Sequence, residues 1–508
     1  MNIPISKIKH PINSKKSEQK HDNVSDTKAK KILNLTSKIC FSVLLLTELL
    51  VCGTLIYLSV LPLKYLAIIL VVAVIIVATL GFFTFKKSFG KVAKSICIAC
   101  DAILSAAFII VFFYLSYTMG FMSSIFASGY QIEEYQLVVK KDSVFNSIED
   151  LNHHTVATYD DNSDNYKKAL EQISEKITLT ATDAGSVLNA VTIFLDDTVD
   201  SLLIKSSLIG AVSDINPQFS TEDIRVIDTI TFKTKIDSTE NTNINVTKDS
   251  FNIFISGIDT YGEISTVSRS DVNMIVTINP RAHTILLTSI PRDFYVQLHG
   301  TTGLRDKLTH AGLYGINMSI GTLEDLFGIK INYYVRVNFD STISLINAID
   351  GIDITPDVTF SRYINGAYCY YEEGVVNHLD GLCALRYARE RKAYGLGDLH
   401  RIQNQQEVIM AIINKLTGSK ILLAKYTDIL SSMSGTLETN IPSSQIYKLI
   451  NEQLDSMPSW KIERISVTGE HIDAPTYTFP DQNLFVFEPD MDSVTKATEK
   501  INEVMSRN

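Results

Sequence analysis

The chain is 508 residues long, 45% hydrophobic and 20% charged, with a formal net charge of −10. Residues 1–38 carry nine Lys against three acids, residues 39–101 are almost continuously apolar, and 32 basic and 51 acidic residues follow position 101, a net of −19. A basic head, a greasy middle and an acidic bulk exclude a collagen-like or disordered chain and a simple soluble enzyme. They also exclude a non-specific nucleic-acid binder, which needs net positive charge.

Three apolar stretches suit a hydrocarbon core about 30 Å thick, which takes roughly 20 helical residues. They run over about 39–61, 63–85 and 95–125, with Pro62 and Lys64 at the first connection and Lys86, Lys87, Lys91 and Lys94 at the second. By the positive-inside rule the N-terminal tail and the 86–94 loop face the cytoplasm, so three spans deliver everything after about residue 128 outside the cell. The expected organisation is a cytoplasmic basic tail (1–38), three transmembrane helices (39–127), an accessory α/β domain (131–235), a linker (236–250) and a catalytic domain (251–508). The chain is therefore read as a multi-pass plasma-membrane protein with an extracellular catalytic part. Glu48 is expected between helices, and Asp101 at a membrane end, snorkelling to water. Cys97 and Cys100 lie in the third apolar stretch and read as packing residues. Cys369 and Cys383 lie outside, where a bridge is chemically allowed, although so sparse a framework favours two free thiols.

Residues 131–235 alternate strands (138–140, 155–158) with helices (165–176, 183–195). The run LVVKKDSVFNSIEDLNHHTVATYD resembles the opening of solute-binding-protein lobes, which implies an α/β module serving as a ligand or partner binder or as a spacer. The polar stretch 233–250 reads as the linker.

From Phe251 the pattern changes to short strands, 251–256, 272–279 and 284–290, the last two flanking a turn at Pro280–His283. Helices are indicated at 320–327 and 341–349, each stopped by a glycine (Gly328, Gly351), and at 382–389 and 399–416. The fold class is an α/β (α+β) sandwich with a central mixed sheet covered by helices.

Two clusters carry chemistry. If the hairpin centre lies between Arg281 and Ala282, Asp271 and Arg292 are equidistant from it, and antiparallel pairing sets them opposite one another at the open end of the ribbon, flanked by Arg269 and Asp293. In RERKAYGLGDLHRIQNQQ, Arg389, Arg391 and Arg401 lie near Asp398 and Gln405. Asp398 can cap the helix, and Gly395 and Gly397 give the loop freedom. Arg401 and Gln405 share a helix face, while Ile402, Val408, Ile409 and Ile412 point to the core. Converging guanidinium groups repel one another unless an anion sits between them, and their planar forks suit phosphate oxygens. Nearby carboxylates suit Mg²⁺, which is shared with phosphates. The pattern describes a diphosphate clamp with a metal. An apolar groove for a lipid tail could be lined by Ile343, Leu345, Ile346 and Ile349, a set equally suited to ordinary core.

These residues resemble the LytR–CpsA–Psr family of cell-envelope phosphotransferases. The resemblance rests on GIDT at 257–260, RSDVNMIV at 269–276, SIPRD at 289–293, YARER at 387–391 and DLHRIQNQQ at 398–406, in family order over about 250 residues. Three spans and an extra module before the catalytic part look like the capsule-associated branch. The resemblance implies a Mg²⁺-dependent phosphotransferase, with Mn²⁺ as the substitute ion. It would move a capsular polysaccharide or related anionic glycopolymer, teichoic acid being the runner-up, from a polyprenyl-diphosphate carrier to a peptidoglycan hydroxyl. Asp259 and Asp271 match the metal-associated acids, and Arg269, Arg292, Arg389, Arg391, Arg401 and Gln405 the diphosphate-binding set. Arg292, Asp293, Arg391 and Asp271 are the expected catalytic residues, with Asp293 either a base or an orienter of Arg292. Two departures stand out: Asn404 where a basic residue is common, which would weaken phosphate grip, and Ile258 where serine is common, which would alter only packing. Expected partners are the lipid-linked glycopolymer, peptidoglycan and capsule-assembly membrane proteins, and no nucleic acid. The competing reading is a non-catalytic membrane sensor of lipid-linked envelope intermediates. Orientation and the acidic outer part argue against a DNA-binding regulator.

Overall fold

The computed structural model describes residues 14–58, 63–86, 90–125, 129–161, 163–236, 244–258, 264–364, 366–394, 398–418, 421–432 and 437–507. The chain divides into two compact units, Met1–Gly120 and Phe121–Asn508.

The first unit holds α1 (Ser14–Leu58), α2 (Leu63–Phe85) and most of α3 (Lys91–Ile125). Segments Lys30–Tyr57, Lys64–Phe85 and Lys91–Ser116 have mean hydropathies of 2.3, 3.1 and 2.6 and are long enough to cross a bilayer. The helix begins at Ser14, so much of the basic head continues into the first apolar stretch as helix instead of forming a separate tail. Pro62 and Lys87 lie outside the described residues. Glu48 is buried, as expected, but so is Asp101, which does not snorkel. A short Asp side chain one-third of the way along a helix has no methylene stem with which to reach water. Cys97 is buried and Cys100 half-buried, and both are free thiols.

In the second unit, residues 130–235 build a five-stranded mixed sheet from β1 (Tyr130–Lys140), β2 (Thr155–Thr158), β3 (Thr180–Asp183), β4 (Ser201–Lys205) and β5 (Ile224–Lys235), in the order β3-β2-β4-β1-β5. Helices α4 (Asp164–Lys176), α5 (Val187–Leu195) and α6 (Ser206–Ile215) cover it. Asp183 ends a strand instead of opening a helix; α5 starts only after Ser186, whose side chain accepts a hydrogen bond from the Asn189 N–H. The stretch read as linker is partly core: Ile236 and Val246 are buried, while residues 237–243 lie outside the described set.

The second sheet has six strands. β6 (Phe251–Ile258), β7 (Ser270–Asn279) and β8 (Thr284–Ile290) form an antiparallel meander, extended by Tyr333–Val337 parallel to β6 and by Lys461–Ser466 parallel to β8, with Leu437–Thr439 at one edge. The period-2 alternation sorts its side chains. Phe254, Ile275 and Leu286 face the helices Ile316–Phe327 and Met491–Ser506. Ile253, Met274, Val276 and Leu287 face the other layer, where Asp398–Gly418 and Ser443–Ser456 lie. Gly328 and Gly351 have φ of 62° and 74°, the left-handed geometry that ends the two preceding helices. Asn338 and Ser341 form a capping box at the start of the helix Phe339–Ala348.

The two sheets are joined through the segment that leads into β7. Ile132 of β1 exchanges backbone hydrogen bonds with Ser265 (2.9 Å) and Val267 (3.0 Å). Leu313 and Phe479 of the later chain are buried within the accessory core.

Cys369 and Cys383 are bridged. The bond ties the hairpin Phe360–Ile364/Ala367–Tyr371 to the helix Gly381–Ala388, beside the stacked rings of Phe360, Tyr371 and Tyr387. Closing a loop with a sequence separation of 14 removes about 3 kcal/mol of unfolded-state entropy. Replacing both cysteines by alanine is expected to lower unfolding stability by about 2–3 kcal/mol in denaturant titrations. Intact mass before and after reduction reads the bridge directly.

Candidate functional site

The β7–β8 register runs from Asn279↔Thr284 to Asn273↔Ile290, so its continuation sets Asp271 against Arg292. Arg292 Nη1 donates to both Asp271 oxygens at 3.0 Å. On the other side of β7 the pairing shifts between Gly257 and Ile258: Gly257 faces Val272 while Ile258 faces Ser270, leaving Asp271 as the extra residue of a bulge. Bulges re-aim side chains, and this one turns a carboxylate toward the cavity at the strand end.

That cavity has a volume of about 940 Å³. Its floor is one sheet face (Ile253, Ile255, Val276, Ile278 and Val335), and its roof is the Asp398–Gly418 helix through Val408, Ile409, Ile412 and Leu416. Its polar end collects Arg269, Asp271, Arg292, Arg389, Arg391, Arg401 and Gln405, residues drawn from positions 269 to 405. Arg362, Arg386 and Lys392 join them, which the sequence reading missed: Arg386 and Lys392 flank the YARER motif, whereas Arg362 belongs to no motif and only the disulfide-tied hairpin brings it in. The lining therefore holds eight cationic side chains against three acids, Asp214, Asp271 and Glu390. In a stretch whose net charge after position 101 is −19, this local excess of positive charge calls for an anion.

Individual partners fix the arginines. Arg401 is 4% exposed. The Arg389 guanidinium lies 4.1 Å over the Phe339 ring. Arg362 donates to Glu390 at 2.5 Å, and Glu390 also accepts from the N–H groups of Lys392 (2.6 Å) and Ala393 (2.8 Å). Burial alone would push the Glu390 carboxyl up; these hydrogen bonds outweigh it and hold the group below the usual carboxylate range. Arg269 pairs at 2.5 Å with Asp214 of α6, a helix of the accessory module.

Several expected positions fall elsewhere. Asp259, Gly395 and Gly397 lie outside the described residues, as does the Asp398 side chain; Asp398 is the first residue of its helix. Asp293 is 6% exposed and sits between Arg292 Nε (3.4 Å) and Lys307 Nζ (3.2 Å), on a second cavity, not the main one. Of the four proposed groove residues only Leu345 lines the main cavity, while Ile346 and Ile349 are wholly buried core. Ile409 and Ile412, read as core, pack against the core and also form part of the apolar roof. Asn404 is fully buried and donates to the Tyr387 carbonyl at 3.1 Å, so it ties two helices together and does not bear on phosphate grip. Ile258 is buried and borders the cavity, in keeping with a packing role.

The residues fit a hard cation. Mg²⁺ keeps several waters and needs one or two carboxylates alongside substrate phosphates. Asp271 borders the cavity beside the arginines and supplies one such oxygen donor. Among the described residues no cluster of three or more His, Cys, Asp or Glu could hold a metal ion.

Residues 224–502 match the LytR_cpsA_psr family. The chain is 32% identical over 265 residues to the polyisoprenyl-teichoic acid–peptidoglycan teichoic acid transferase TagV of Bacillus subtilis (strain 168), covering 51% of this chain and 66% of that protein. It is 34% identical over 219 residues to the corresponding transferase TagU of Bacillus mycoides (strain KBAB4), covering 43% of this chain and 68% of that one. The match thus spans about two thirds of these relatives' length. Among solved structures, B. subtilis TagV is 32% identical with a TM-score of 0.44, covering 51% of this chain and 99% of that chain. TagT bound to LI-WTA is 26% identical with a TM-score of 0.40, covering 52% and 94%.

Two outcomes test the site. Because the Glu390 pKa is lowered on folding, its contribution is present above the ordinary carboxyl value of 4.5 and is lost as pH falls through the folded value. Glu390→Gln is therefore expected to lower thermal stability near neutral pH and to narrow its gap to wild type in acid, as read by unfolding scans across pH. A Cβ at Gly312 would lie 2.5 Å from the Ser268 carbonyl and 2.9 Å from the Ser270 N–H. Gly312→Ala is expected to push the 268–270 backbone and weaken anion binding through Arg269, measurable by calorimetry with inorganic pyrophosphate.

Proposed function

Because this chain belongs to the LytR–CpsA–Psr family, we propose that it is a phosphotransferase that moves an anionic glycopolymer from a polyprenyl-diphosphate carrier onto a peptidoglycan hydroxyl. The observation that carries the reading is a single cavity whose one end is aliphatic and whose other end gathers eight cationic side chains. An isoprenoid chain needs the first and a diphosphate the second.

The reaction needs little covalent help from the protein. Arg292, Arg389, Arg391 and Arg401 take the phosphate oxygens, and Gln405 orients them from the same helix face as Arg401. The acceptor hydroxyl oxygen attacks the phosphorus that bears the glycan. The anhydride P–O bond breaks, polyprenyl phosphate leaves, and a phosphodiester joins glycan to peptidoglycan. The hydroxyl proton passes to a carboxylate, for which Asp271, bordering the cavity, is the candidate. Asp293, held between two cations on the far side of Arg292, acts as a positioning residue for that guanidinium. Mg²⁺ or Mn²⁺ held by Asp271, with Asp259 as the second matching acid, would neutralise diphosphate charge. Cationic positioning in a water-poor site accounts for most of such a rate enhancement.

The polymer proposed is a capsular polysaccharide or a related anionic glycopolymer; the names of the teichoic acid transferases support its anionic class. The catalytic part is proposed to lie outside the membrane. Lysine placement around the spans, the net charge of −19 after residue 101 and a disulfide, which persists in oxidising surroundings, all support that side.

Arg292→Ala is expected to reduce release of polyprenyl phosphate by about 10²-fold or more, as expected for a preorganised charge in a transition state. Arg292→Lys should recover only part of that, since an ammonium cannot replace the bidentate fork. No release of polyprenyl phosphate by the purified wild-type chain with Mg²⁺ would refute the reading in favour of a sensor, and turnover by both variants at the wild-type rate would remove Arg292 from the machinery.

A further inference from the structure

A second cavity of about 300 Å³ lies against the same arginines. It shares Asp214, Arg269 and Arg292 with the main cavity, so these three form a common wall. Its character differs. In place of aliphatic floor and roof it offers Lys307, Thr309 and His310 from one segment and Gln482 and Asn483 from another, with Phe485 as an aromatic surface. Thr309 and His310 are 3% and 4% exposed, and the His310 ring is fixed by Asp306 at 2.6 Å. Asp293 is buried there too, already neutralised by Arg292 and Lys307. The accessory module contributes Ala211, Asp214 and Ile215 at the end of α6 to the lining.

On the phosphotransfer reading, a diphosphate gripped by Arg269 and Arg292 has a lipid-shaped cavity on one side of the shared wall and this polar cavity on the other. We infer that the second cavity is a carbohydrate subsite, built jointly by the accessory module and the catalytic domain, that takes the sugar ring next to the transferred phosphorus. The inference rests on the phosphotransfer reading and deepens it. A pyranose presents hydroxyl edges and an apolar C–H face. The amides, hydroxyl and ammonium of this cavity serve the edges, and Phe485 with Ile215 and Leu484 serves the face. Phe485 is 45% exposed, which leaves ring surface for stacking. A volume of 300 Å³ stands at the lower end of small-molecule sites and suits one or two sugar rings instead of a polymer segment. The Asp214–Arg269 ion pair has a corresponding role: it fixes the accessory wall to the phosphate-binding wall, so the geometry of sugar and phosphate are set together.

Two rings qualify: the first sugar of the donor and the acceptor sugar of peptidoglycan. The experiment uses the full chain in lipid nanodiscs and measures affinity for polyprenyl diphosphate, for polyprenyl diphosphate bearing one N-acetylhexosamine, and for a soluble muramoyl disaccharide. The variants are Asn483→Ala/Phe485→Ala, on exposed positions, and Ile215→Trp, which fills the cavity from the accessory side. Both variants are expected to bind the bare carrier within about twofold of wild type, which also reports an intact fold, and to lose about tenfold on a sugar probe. A loss confined to the sugar-bearing carrier assigns the subsite to the donor, and one confined to the muramoyl disaccharide assigns it to the acceptor; either supports the inference. Unchanged affinity of both variants for both sugar probes overturns it. Failure of the wild-type chain to bind either carrier overturns the phosphotransfer reading beneath it, a result separable from variants that bind carrier and sugar alike.

Discussion

The antiparallel pairing of β7 with β8 is the constraint on which the rest of the site depends. It brings Asp271 and Arg292, 21 residues apart, into a two-pronged charge-assisted contact at the end of a buried ribbon. Strand side chains alternate faces, so a slip of one residue would turn Arg292 away from Asp271 and send Val276 and Ile278 to the opposite layer. The ribbon is buried on both faces, between two helical layers, and the short turn between Asn279 and Thr284 fixes its register. Charge placement at the site thus follows from the packing of aliphatic residues that carry no chemistry.

From that ribbon the cavity acquires its two halves for separate physical reasons. The sheet face and the Asp398–Gly418 helix leave an aliphatic slot because both elements present branched side chains toward one another without closing the gap. The guanidinium groups gather where strand ends, the disulfide-tied hairpin and the Gly381–Ala388 helix meet. Holding so many cations together is unfavourable in a poorly solvated place, and five of the eight are restrained: Arg292, Arg362 and Arg269 by the charges of Asp271, Glu390 and Asp214, Arg389 by the π face of Phe339, and Arg401 by burial. The arrangement is preorganised for an anion, which converts repulsion into affinity.

The accessory module belongs to this arrangement as well. Its first strand pairs with residues 265–267, immediately before Arg269, and its last helix supplies Asp214. A module read from its resemblance to solute-binding-protein lobes as a spacer or a binder in its own right is thereby in mechanical and electrostatic contact with the phosphate end of the cavity. Sequence distance concealed this, because Asp214 sits in no recognisable motif and its partner is 55 residues away.

Local rules read much of the architecture directly. The three apolar helices, the hairpin centre at 281/282, strand Thr284–Ile290 and the glycine stops at Gly328 and Gly351 all follow from periodicity and backbone preference, which act over a few residues. The gathering of Arg269, Arg292, Arg389, Arg391, Arg401 and Gln405 was legible from like charges that need a shared counterion. What the amino-acid string could not resolve was which apolar residues face a cavity and which face core. Ile346 and Ile409 are chemically alike, yet one is sealed in the core and the other roofs the slot. Nor could it place Asn404 in a helix–helix tie, Asp293 on the far side of Arg292, or Arg362 beside Glu390. Residue types and their spacing therefore determined the kind of chemistry. Tertiary packing alone decided the shape of the site, because facing, burial and long-range ion pairs depend on how distant elements fill the same volume.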